Sequence, residues 1–127
     1  MVEEPCALGE LASLSATGVP LALDESLLEL DVRRVTPQGL RGRGVSALVL
    51  KPSSLGGIAA CVAWAKRARA SGAAVILSHA FEGPLGLAAS ATLALCVGST
   101  DRAHGLDSGE AQIVPWTGVG FGLERLT

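Results

Sequence analysis

The stretch Ala47-Leu48-Val49-Leu50-Lys51 decides the fold. Four apolar residues follow one another without alternation, and a lysine ends the run. A strand with one wet face alternates apolar and polar residues. A continuous run is what a parallel strand covered on both faces requires. On either side the same pattern returns. Ala74-Val75-Ile76-Leu77 ends in Ser78, Leu21-Ala22-Leu23 ends in Asp24, Met1-Val2 precedes Glu3, and Ala103 to Leu106 precedes Asp107. The polar residues that close these runs recur every 21 to 29 positions.

Helix-like segments fill the gaps. Ser26-Leu27-Leu28-Glu29 has the spacing of a capping box, in which Ser and Glu satisfy each other's free backbone N–H groups. Leu55 to Ala70 carries Ile58, Val62, Ala65 and Ala68 at helical spacing. Its last turns hold Lys66, Arg67 and Arg69, which suits the negative end of a helix dipole, and Ser71-Gly72 stops it. Gly86 to Val97 is a third, nearly all-apolar helix ended by Gly98, and its composition predicts burial. Strands alternating with helices predict a parallel sheet with right-handed crossovers. A βα unit of about 30 residues is the repeat into which a (β/α)₈ barrel of about 250 residues divides. The fold class is therefore α/β, a TIM-like barrel of which residues 1–127 hold about five parallel βα units. Five units do not close the barrel and leave open strand edges. A missing N-terminal part of the polypeptide, or self-association or another partner chain, is expected to complete it.

Composition sets the function classes aside. The chain has 127 residues, 49% apolar, with net charge −2. That suffices for one domain with a core and argues against disorder. The weak acidic balance and 3% aromatic content offer no footprint for nucleic acid and no basic run for a membrane surface. Cys6, Cys61 and Cys96 form neither a disulfide framework nor a metal knuckle, so a reducing cytoplasmic setting is expected. Met1 to Pro5 has no features of a signal peptide, and Leu85 to Val97 is too short for a bilayer, which needs about 20 residues.

In barrels of this kind, functional side chains come from the C-terminal ends of several strands. Glu3 and Asp24 close adjacent strands, where two carboxylates can share one cation. All-oxygen ligation favours Mg²⁺, with Mn²⁺ the alternative. Such an ion stabilises negative charge developing on a bound small-molecule carboxylate. Lys51 on the next strand adds a cation that can also act as acid or base. Taken singly, the acids could merely favour the starts of the helices that follow. The order acid, acid, lysine on three successive strands favours chemistry.

These residues also carry a resemblance. Val2-Glu3-Glu4-Pro5-Cys6, Ala22-Leu23-Asp24-Glu25-Ser26 and Leu50-Lys51-Pro52-Ser53 are similar to the fourth, fifth and sixth barrel strands of the enolase superfamily, muconate-lactonising branch. Lys51-Pro52-Ser53-Ser54-Leu55-Gly56-Gly57, Ser78-His79-Ala80-Phe81-Glu82-Gly83-Pro84 and His104-Gly105-Leu106-Asp107 most resemble the o-succinylbenzoate synthases within it. Residues 113–124 resemble that family's terminal strand. The resemblance implies that the chain is the C-terminal portion of the barrel. It implies that Glu3 and Asp24 are two of three Mg²⁺ ligands, and that Lys51 faces an enediolate as a cation. Ser78 and His79 would meet the substrate carboxylate, with Gly105 near the ring. The superfamily's ene-diolate chemistry, with a Lys or His base and Mg²⁺, comes with the likeness rather than from these residues.

The second-strand Lys-x-Lys and the third-strand Asp of that family are absent from this sequence. The expected reaction is Mg²⁺-assisted syn dehydration on the path to menaquinone, with the isolated chain inactive. N-acylamino acid racemisation or dipeptide epimerisation is the alternative inside the superfamily, and a non-catalytic half-barrel that needs a partner is the alternative outside it. Other features read as structural. Gly118 to Gly122 follows no strand and opens no helix, so it is a turn rather than a phosphate loop. His104 is isolated and is not read as a ligand, Asp107 is read as a capping or loop hydrogen-bonding residue, Glu82 as structural, and Trp64, Trp116, Cys6, Cys61 and Cys96 as packing residues.

Overall fold

The computed structural model describes residues 1–10, 13–14 and 18–106, and the backbone of 116–117 and 124–125. Four parallel strands form one sheet in chain order: β1 (Val2–Glu3), β2 (Leu21–Leu23), β3 (Val45–Leu50) and β4 (Ala74–Leu77). Among the described residues, α1 (Ser26–Glu29), α2 (Pro37–Gly42), α3 (Ile58–Ser71) and α4 (Pro84–Val97) accompany them. A separate antiparallel pair joins β5 (Trp116–Thr117) to β6 (Glu124–Arg125).

The continuous apolar runs form the expected strands, and β3 is buried along nearly its whole length. Its neighbour β2 is buried throughout, whereas β1 is exposed at the sheet edge. One sheet face packs Leu23, Leu48, Leu50, Val75 and Leu77 against Cys61, Trp64, Ala65 and Ala68 of α3. The other face is lined by small residues, Ala22, Ala47 and Val49, with Ala74 and Ile76 beside them.

Several helix expectations are corrected by local chemistry. The capping box at Ser26 does not form. Glu25 is the N-cap residue of α1, without a side-chain cap, and Ser26 lies inside the helix. The free N–H groups of Asp24 and Ser26 instead donate to the Glu4 carboxylate, at 2.8 and 3.2 Å, and the Ser26 hydroxyl donates to it as well. The α3 helix starts at Ile58 rather than Leu55, because Gly56 and Gly57 sit at φ of +89° and +97°, outside the helical region. Ile58, expected on its inner face, is exposed at its first turn. Gly72 ends the helix in the left-handed conformation, as the Ser71-Gly72 pair predicts. The unpredicted α2 is set by Thr36, whose Oγ1 accepts from Gly39 N at 3.1 Å, and by Pro37 in the first turn. The expected burial of the last helix holds for Leu87, Ser90, Leu93 and Ala94 of α4, while Leu85, Leu95 and Cys96 face outward.

The expected strand at 103–106 reduces to a parallel bridge between Ser78 and Gly105. Backbone and side-chain acceptors share the rest of the edge along β4. Val75 N donates to Ser99 Oγ (2.8 Å), Leu77 N to His104 Nδ1 (3.1 Å) and His79 N to Gly105 O (3.3 Å). The outer edge of β4 is thereby closed by a segment that is not itself a strand. Asp107 and the glycine-rich 118–122 segment lie outside the described residues. No helix among the described residues is long and apolar enough to cross a membrane.

Candidate active site

The three residues singled out first meet at the C-terminal end of the sheet. Parallel pairing in chain order places the ends of β1, β2 and β3 side by side, and Glu3, Asp24 and Lys51 occupy those ends. Lys51 Nζ donates to Asp24 Oδ2 and, at 3.1 Å, to Glu25 Oε1. Asp24 is 6% exposed and Lys51 22%. Burial pushes the Asp24 carboxyl above its ordinary range, and the hydrogen bond and charge of Lys51 offset this only partly. For Lys51 burial works downward, but the hydrogen bonds to Asp24 and Glu25 outweigh it and the ammonium form is favoured. Glu3 is raised by burial and then by the neighbouring Asp24, which acts on it both as a charge and as a hydrogen-bond partner. Two adjacent acids that each resist ionisation form a donor pair that a hard cation would relieve.

Asp24 and Lys51, but not Glu3, line a cleft of about 220 Å³ together with Glu25, His79 and apolar Leu28, Leu55 and Phe81. His79 stands at the end of β4, and its Nδ1 accepts from Phe81 N at 3.1 Å. That bond fixes Nδ1 as the acceptor and leaves Nε2 as the ring's N–H donor. Ser78 and Gly105 are brought together, but away from the cleft lining. The Ser78 hydroxyl donates to Gly105 O at 3.2 Å, and a Cβ on Gly105 would stand 2.9 Å from Ser78 Oγ. The two close the end of β4 together.

Two residues gain roles that the sequence reading did not give them. Glu4, the second acid of the Glu3-Glu4 doublet, organises the start of α1 and so fixes Asp24 from behind. Glu25 is the second acceptor for Lys51. An acid immediately after a ligand candidate was the only sequence signal for either. Glu82 is structural, as expected. It accepts from Ser53 Oγ and, at 2.7 Å, from Ala80 N, joining the loop after β3 to the loop after β4. His104 also holds backbone, as described for β4.

The oxygen-only pair Glu3 and Asp24 fits part of a Mg²⁺ shell. No group of three His, Cys, Asp or Glu side chains able to hold a metal occurs among the described residues. A complete shell therefore needs donors beyond them.

Comparison with known proteins agrees with this geometry. Residues 1–115 match the family described as enolase C-terminal domain-like. The o-succinylbenzoate synthase of Pectobacterium atrosepticum is 35% identical over 109 residues, which is 84% of this chain and 32% of the relative. Among solved structures, MenC from Desulfotalea psychrophila superposes with a TM-score of 0.72 at 32% identity, covering 86% of this chain and 31% of that one. An enolase from Pseudomonas fluorescens with bound magnesium, potassium and tartrate superposes at 0.61 and 23% identity over 80% of this chain and 24% of its own, a likeness of fold. The chain thus spans about a third of the length of the relatives it matches. Its parallel strand order, the acids and lysine at its strand ends, and the match over 115 residues make it a member of the enolase C-terminal domain-like family.

Proposed function

We propose that this chain supplies the C-terminal strands of an o-succinylbenzoate synthase-type barrel, which dehydrates a cyclohexadiene carboxylate. The observation that supports this most is the row of Glu3, Asp24 and Lys51 on three consecutive parallel strand ends, two of which, Asp24 and Lys51, line one cleft. In this reading Glu3 and Asp24 hold Mg²⁺ together with a ligand from outside the described residues. The bound ion, as a Lewis acid, would lower the cost of negative charge on the substrate carboxylate. Lys51, kept protonated by Asp24 and Glu25, presents a fixed cation to the same charge. His79 Nε2–H is the further donor facing the cleft. Ser78 and Gly105, hydrogen-bonded to each other at the end of β4, would contact substrate beside His79. The proton-abstracting base belongs to strands outside this chain. Such a site is split between two parts of a barrel, so a partner segment is part of the proposal.

The test is a chimera in which residues 1–115 replace the matching segment of the Pectobacterium atrosepticum relative. Mg²⁺-dependent dehydration is expected. Lys51→Met, Asp24→Asn and Glu3→Gln should each lower kcat at least 100-fold, the order of loss for removal of a preorganised charge. Racemisation of N-acylamino acids without dehydration would transfer the proposal to the racemase reading. Turnover by the 127-residue chain alone would overturn the split site.

A further inference from the structure

One side of the cleft is built from an unusual residue. Phe81 lines it and is 96% exposed, the most exposed large apolar side chain of the described chain. Its backbone sits at φ +60°, a region that bulky residues rarely adopt. This conformation is held from both sides. Phe81 N donates to His79 Nδ1 at 3.1 Å, and the preceding Ala80 N donates to Glu82 Oε2 at 2.7 Å. Glu82 is in turn fastened by the Ser53 hydroxyl, so the loop after β4 is tied to the loop that begins at Lys51. The ring meets the edge of His79 with centroids 5.7 Å apart, and that contact leaves almost all of its surface open. A strained backbone, clamped by three side chains, thus presents an apolar ring to a cleft whose floor is ionic. Core packing does not explain this, because the ring is packed on almost nothing.

We propose that Phe81 is a specificity-determining residue: it forms an apolar wall that selects carboxylate ligands carrying a ring or a bulky alkyl group next to the carboxylate. The inference rests on the ionic floor assigned above. Leu28, 57% exposed, and Leu55 line the same cleft, so a ring held there has more than one apolar surface to cover. Burial of part of a six-membered ring between apolar side chains is worth about a tenfold preference over a methyl group.

The test uses the full 127-residue chain in 10 mM MgCl₂, with benzoate and acetate as probes. Affinities are read from amide shifts of residues 79–82 in ¹H–¹⁵N spectra, which also report the fold of each variant. The chain should bind benzoate about tenfold more tightly than acetate. Phe81→Ala should reduce that ratio to about twofold, and Phe81→Leu should keep an intermediate ratio. A ratio near one in the parent chain, or one that survives Phe81→Ala, overturns the proposal. Lys51→Met separates the two readings. If it weakens both probes while the ratio ignores Phe81, the wall fails and the floor stands. If it weakens neither, and Phe81→Ala still removes the preference, the floor fails and the wall stands. Binding of neither probe overturns both.

Discussion

Lys51 and Asp24, at the ends of neighbouring strands 27 positions apart, are joined by a hydrogen bond between Nζ and Oδ2. The carboxylate is almost fully buried, while the ammonium keeps some contact with water and with Glu25. Lys51→Met therefore leaves a buried acid without its cation, an error that costs more than the intact pair gains. The variant should lose about 1–3 kcal/mol in urea unfolding. Adding Asp24→Asn should restore most of that loss, because the orphaned charge is then gone. A double variant no more stable than Lys51→Met would show that the pair is not what holds these strand ends.

The same pair predicts an alkaline response. The folded chain holds the Lys51 proton more tightly than the unfolded chain, whose ordinary value is 10.5. Its contribution is therefore fully present below pH 10.5 and declines as pH rises through the folded value. Stability measured between pH 9 and 12 should fall more steeply for the parent than for Lys51→Met.

Glu82 responds in the opposite direction. Burial raises its carboxyl, but the hydrogen bonds from Ser53 and from the backbone outweigh this and hold it below its ordinary 4.5. The loop clamp is thus complete above pH 4.5 and is lost as pH falls through the lower folded value. The Ala80 amide shift should report that transition, and Glu82→Gln should abolish the pH dependence. An Ala80 amide whose shift ignores pH down to 3 would place its acceptor elsewhere.

Strand β4 gives a prediction about an edge. Leu77 N has the His104 ring as its acceptor, and Gly98 leaves the room that ring occupies. A Cβ on Gly98 would come within 2.5 Å of His104 Cε1 and of Ala94 O. His104→Ala should cost about 1–3 kcal/mol by orphaning a backbone donor. Gly98→Ala should also destabilise, through steric conflict rather than a lost bond. In hydrogen exchange, Leu77 N–H should lose protection in His104→Ala. Unchanged protection would show that water or backbone already serves that donor.

What could be read from the sequence divides along physical lines. Continuous apolar runs located β2, β3 and β4, because burial on both faces leaves a pattern that needs no partner information. The strand-end acids and lysine were legible for the same reason: a charge that stops such a run has few places to go. Glu4 was not legible, because its job is to serve backbone donors 20 residues away, which only tertiary contact creates. The Ser26 capping box was offered by spacing and lost to that same acid. His104 standing in for a strand leaves no periodic trace. Phe81 at a positive φ contradicts local preference altogether, so no propensity could have located it.

Cysteine reactivity tests the orientation of α3 and α4 together. Sequence reading took Cys61 and Cys96 alike as packing residues, yet the structure separates them. Cys61 is fully buried against the sheet, and burial pushes its thiol up to about 11. Cys96 lies on the outward face of α4 and is exposed, while Cys6 is half-buried and raised by burial and then by nearby Glu10 and Glu4. Thiolate, not thiol, attacks a disulfide reagent. At pH 8 Cys96 should therefore react first, Cys6 more slowly, and Cys61 only as fast as the chain opens. Urea below the unfolding midpoint should accelerate Cys61 far more than Cys96, since only Cys61 gains access by opening. Equal rates for Cys61 and Cys96 in the folded chain would mean that α3 does not pack its Cys61 face on the sheet, and the core described for β3 and β4 would have to be redrawn.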